Sequence, residues 1–71
     1  MGTLGQAIKK ARIDRRMPQK ELRERVGVSQ KQMSAIELDK ADPRWSTVVK
    51  IARALEIPLD ELAKSNGELH G

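Results

Sequence analysis

Cysteine, phenylalanine and tyrosine are absent from this chain, and tryptophan and histidine occur once each. Without thiols, neither a disulfide framework nor a thiolate metal site can form, which fits a reducing cytosol. With Trp45 as the sole aromatic, sheet surfaces and single-strand channels that stack several bases on rings are disfavoured. No apolar run approaches the ~20 residues that cross a bilayer, and the N-terminus lacks the hydrophobic block of a signal peptide. A soluble, cytoplasmic protein with no membrane partner is expected. Catalysis has little to work with: His70 stands next to last, there is no cysteine nucleophile, and no glycine-rich loop follows a strand pattern. Asp60 and Glu61 are consecutive on a helical pattern, where they favour its N-terminal dipole. No enzyme activity, cofactor or metal site is expected.

What is present is charge. The 71 residues suffice for one small domain and carry a formal net charge of +4. Residues 1–36 hold nine Lys and Arg against three acids, while residues 37–71 hold five against seven. Net positive charge favours a polyanionic partner, chiefly nucleic acid or an anionic membrane surface, and it is concentrated in the first half.

Helical spacing organises that half. Thr3 and Gln6 form a capping-box pattern, and Leu4, Ala7, Ile8 and Ala11 then share one face of a helix to about Arg15. Arg12 lies close to that stripe and needs a partner if its head is buried. Pro18 breaks helix at Met17 and opens the next one, in which Leu22 and Val26 share a face. Gly27 can stop this second helix, and Ser29 can cap a third carrying Met33 and Ile36. The pattern from Gln19 to Glu37 is therefore two short helices joined by a turn. Met33 and Ile36 define the buried side of the third helix, so Lys31, Ser34 and Ala35 lie on or near its other side, with Gln30 on the first turn. Trp45, Val48, Val49, Ile51, Ala52 and Leu55 predict a broad apolar helix with Trp45 as a core anchor. Pro58 opens a short fifth helix through about Ala63. Residues 1–64 are then one domain, and residues 65–71 a frayed tail. The expectation is five helices and no strand.

The joint order of Leu4, Gly5, Ile8, Arg12, Gln19, Leu22, Val26 to Ser29, Ile36, Glu37, Pro43, Thr47, Ile51, Ala52, Ala54, Leu55 and Leu59 to Leu62 resembles the Cro and phage-repressor family, also called XRE. The resemblance runs from Leu4 to about Leu62. It implies an all-α, lambda-repressor-like five-helix bundle whose helix-turn-helix binds double-stranded DNA, with residues 29–37 as the recognition helix. It also implies that Arg12 pairs with Glu37 as a structural clamp, and that Gln19 grips a phosphate while bracing the reader. Loops at the place of Lys40 and Arg44 lie along the DNA backbone in this family, so these two residues, with Gln19 and Ser29, are expected on phosphates. Gln30, Lys31, Ser34 and Ala35 are expected at base edges in the major groove.

The chain departs from the family at several places. Arg16, Asp39 and Glu56 stand where glycine is usual, Pro18 replaces a side-chain cap of ~1 kcal/mol, and Arg23 replaces a small residue between two helices. An arginine there can run its methylenes along the interface and put its head in water. Small family members pair, so a homodimer joined through Ile57, Leu59 and Leu62 on an inverted-repeat operator is expected, the alternative being that these residues close the core of a single chain. A small transcriptional regulator or repressor is the reading. An antitoxin with a toxin partner, or a protein-interaction scaffold of the same fold, are the alternatives.

Overall fold

The computed structural model describes residues 3–62. Four helices run in order as α1 (Leu4–Asp14), α2 (Gln19–Val26), α3 (Gln30–Glu37) and α4 (Trp45–Leu55), and residues 59–62 are helical as a fifth, α5. No strand occurs among the described residues. The expected end of α5 at Ala63 and the expected tail at residues 65–71, with His70, lie outside them. Among the described residues, no helix is long and apolar enough to cross a membrane.

Each helix starts and stops for local reasons. Thr3 accepts from the backbone of Gln6, whose side chain returns to the Thr3 backbone, so α1 begins in a full capping box. Ser29 and Gln32 do the same for α3. By contrast α2 begins at Pro18 and α4 at Arg44 without any side-chain cap. All four ends use one device. The chain turns left-handed at Arg16, Gly27, Asp39 and Glu56, with φ of 53°, 88°, 60° and 57°. The next amide then reaches back five residues: Met17 to Arg12, Val28 to Arg23, Lys40 to Ala35 and Ile57 to Ala52. Only one of the four turning residues is glycine, although a side chain in that conformation costs about 1–2 kcal/mol. Apolar residues just past the turn offset part of this cost, since Met17, Val28 and Ile57 all pack against the core.

That core contains Ile8 from α1, Leu22 and Val26 from α2, Met33 and Ile36 from α3, and Val48, Ile51, Ala52 and Leu55 from α4, closed by Ile57 and Leu62. α2 packs on α4 and α3, and α1 on α3 and α4. The N-terminus of α1 abuts the C-terminus of α3. A side chain at Gly5 would meet the Ile36 carbonyl oxygen at 2.5 Å and that of Glu37 at 2.7 Å, so only glycine allows this approach. Asp39 completes the junction, accepting from the Gly5 amide at 3.0 Å and from the Thr3 hydroxyl. A carboxylate at a helix N-terminus also complements its dipole.

Three expectations are corrected by burial. Trp45 is 61% exposed rather than a core anchor. At ~100° per residue it sits ~60° around α4 from Val48, on the edge of the stripe whose buried part begins at Val48. The apolar patch expected to join two chains is taken into the monomer: Leu62 is 1% and Ile57 9% exposed, and only Leu59 stays partly exposed. Arg23 does not place its whole head in water, because its Nε is buried without a hydrogen-bond partner while Nη2 lies 4.0 Å from Glu24.

Candidate nucleic-acid interface

The sequence of α3 sorts its residues by depth. Met33, Ile36 and Glu37 are buried, Ser34 and Ala35 half-buried, and Gln30, Lys31 and Gln32 exposed. A helix eight residues long, free of acids on its outward side, is thereby presented to solvent with its capped N-terminus leading. Its width suits the major groove, ~12 Å across.

Behind this face lies a polar network. The Arg12 guanidinium grips Glu37 with two bonds, Nε to Oε2 at 2.7 Å and Nη2 to Oε1 at 3.1 Å, and spends Nη1 on the Met17 carbonyl at 3.0 Å. The pair is nearly dry, with side chains 13% and 3% exposed. Two parallel bonds to a carboxylate fix orientation as well as distance. Gln19, on the first turn of α2, donates from Nε2 to Glu37 Oε1 at 3.1 Å. Its carbonyl oxygen turns to α3, where it accepts from the Ser34 hydroxyl at 3.1 Å and from Gln30 Nε2. Three segments distant in sequence thus meet on one carboxylate and one amide.

The other site residues divide as follows. Lys31, Ala35 and Arg44 line a groove of ≈ 410 Å³ with Val28 and Pro43, so the loop after α3 comes beside that helix. Lys40 is exposed, and its amide is tied to α3 through the Ala35 carbonyl at 2.8 Å. Ser29 Oγ is engaged in the α3 cap, accepting from Gln32 at 3.0 Å. Its hydrogen remains a donor.

Sequence reasoning missed four participants. Gln32 completes the second capping box, and its spacing three residues after Ser29 was a readable signal. Lys9 and Leu38 line a groove with Gln19 and Ser34, and Leu38 is 58% exposed there. Asp39 ties α3 to α1 across more than thirty residues of sequence, which no local pattern announces.

Known proteins bear on this arrangement in one respect. Among curated proteins, none matches the chain by sequence. The family model described as "Helix-turn-helix domain" matches residues 5–68, nearly the whole chain. That span takes in α2, the Gly27 turn and α3 as one unit, and the chain belongs to this XRE-like helix-turn-helix family.

Proposed function

We propose that this protein is a small transcriptional regulator, acting as a repressor, that lays α3 in the major groove of double-stranded DNA. Domains of this family bind DNA and are typically non-enzymatic. The observation that carries the finer reading is the outward face of α3, where Gln30, Lys31, Ser34 and Ala35 are backed by the Arg12, Glu37 and Gln19 network. Gln30 and Lys31 stand on the leading turn, which reaches deepest into a groove, and both side chains have donors that match purine edges. Gln19, Ser29, Lys40 and Arg44 hold phosphates, which sets register but not sequence. The Arg12 and Glu37 pair acts as a clamp on the reader rather than as a DNA contact.

One short reader covers few base pairs, so two chains bind an inverted repeat with readers ~34 Å apart. With Ile57 and Leu62 buried, Leu59 alone of the expected residues is left for the contact, and DNA completes the dimer. Enrichment from a random duplex pool tests the whole reading. An inverted repeat is expected. Lys40→Ala and Arg44→Ala should weaken cognate and random duplex alike, and each should lower the salt slope by about one unit. Duplex binding that is absent, or indifferent to salt, would leave a protein-interaction scaffold in its place.

A further inference from the structure

Two neighbouring lysines of α1 differ in what meets their charge. Lys10 reaches Asp14 at 3.2 Å, one turn further along the helix. Lys9 is exposed and has no ion pair among the described residues. It borders a groove of ≈ 180 Å³ together with Arg12, Gln19, Ser34, Glu37 and Leu38. Two of those side chains are charged, but Arg12 and Glu37 meet each other at 2.7 Å and cancel. The net charge of the groove is therefore that of Lys9, and an unmatched cation beside a polar groove favours an anion.

The position of the groove says which anion. At ~100° per residue, Ser34 and Ala35 fall on different sides of α3. Ser34 and Glu37 wall the groove shared with Lys9, whereas Ala35 and Ile36 wall the one shared with Arg44. The two grooves thus flank α3, and each receives a cation from another segment of the chain. A major groove is ~12 Å across and has one phosphodiester backbone along each edge, so a helix lying in it has a strand on either flank. We infer that Lys9 binds a phosphate on the strand opposite the one held by the loop, so that α1 and the loop before α4 grip the two backbones with α3 between them. This rests on the major-groove reading above and extends it to α1. Gln19 lies in the same groove but is neutral, so counterion release there falls to Lys9.

The test uses the full chain and its enriched duplex. Lys9→Ala should lower the salt slope by about one unit and weaken cognate and random duplex by the same factor. Lys10→Ala removes an equal charge that Asp14 already meets, and should leave the slope unchanged. Lys9→Arg should keep it as well. All three should melt with the unaltered chain, because exposed side chains of this kind contribute little to the fold. Ethylation of single phosphates then assigns the strand. Within one half-site, Lys9→Ala should lose interference at a phosphate on one strand, and Arg44→Ala and Lys40→Ala at phosphates on the other. The inference is overturned if Lys9→Ala leaves slope and interference unchanged, if Lys10→Ala lowers the slope as much, or if all these losses fall on one strand. In those cases an enriched site with salt-sensitive binding keeps the DNA reading. If no site is enriched and binding ignores salt, the DNA reading itself fails and takes the inference with it.

Discussion

α3 is held from two sides by different physics. On its inner side Met33 and Ile36 enter an apolar cluster with Leu22, Val26 and Val48. Beside them Glu37 meets Arg12 and Gln19 through directed bonds. Apolar burial is non-directional and tolerates small rotations, so it determines where the helix lies. Hydrogen bonds weaken steeply off axis, so the network determines how the helix is turned and which polar atoms face outward. Under the proposed function α3 needs both, because a groove is located by position but a base edge is recognised by donor and acceptor geometry.

The largest effect should come from breaking the polar side. Arg12→Ala strands the buried Glu37 carboxylate and should destabilise the fold by about 3–5 kcal/mol, whereas Arg12→Ala combined with Glu37→Ala should cost less than the two singles added. Urea unfolding of the three variants measures the coupling. Additive losses would show that the pair holds nothing jointly.

The apolar side offers the next effect. Met33 is fully buried, and Met33→Ala should cost about 2–5 kcal/mol of stability by leaving a cavity. Its effect on DNA should be uniform across sequences once the folded fraction is accounted for. A changed base preference would show that apolar packing also sets the orientation of α3, and the contrast between the two sides would collapse.

Gln30→Ala is smaller and strictly local. It touches no core residue, so the melting temperature should hardly move, while cognate affinity should fall by about 1–3 kcal/mol with preference relaxed at one base pair. Titration against cognate and single-pair variants checks this. A variant that keeps both affinity and preference would remove Gln30 from the groove.

How much of this was legible beforehand follows the range of each interaction. The capping box at Thr3, the stop at Gly27, the cap at Ser29 and the stripes of Leu22, Val26, Met33 and Ile36 are set by neighbours within four residues, and spacing reveals them. Depth is different. Trp45 opens α4 and Ile57 lies just past its end, both apolar, yet one is exposed and the other buried, because cover comes from other helices. The orientation of the Gln19 amide is further still from sequence, since it depends on a carboxylate supplied from the end of α3 and an arginine from α1. Arg12 and Glu37 could be paired from family resemblance, but the direction of the bonds through Gln19 to Gln30 could not.

The smallest effect concerns the left-handed turns, and it bears on which side of α3 Asp39 serves. Arg16 and Glu56 take a conformation that costs a side chain about 1–2 kcal/mol, and glycine would relieve it at the expense of a more flexible unfolded chain. Arg16→Gly and Glu56→Gly should therefore each raise stability by about 0.5–1 kcal/mol. Asp39 has the same backbone strain but also accepts from Gly5 and Thr3, tying the end of α3 to the start of α1. Removing those two bonds should offset the relief, so Asp39→Gly should be neutral or destabilising by about 1 kcal/mol. Thermal unfolding of the three variants side by side makes the comparison. A gain at Asp39 equal to that at Arg16 would mean that the carboxylate contributes nothing across the junction, and that the polar hold on α3 ends at Glu37.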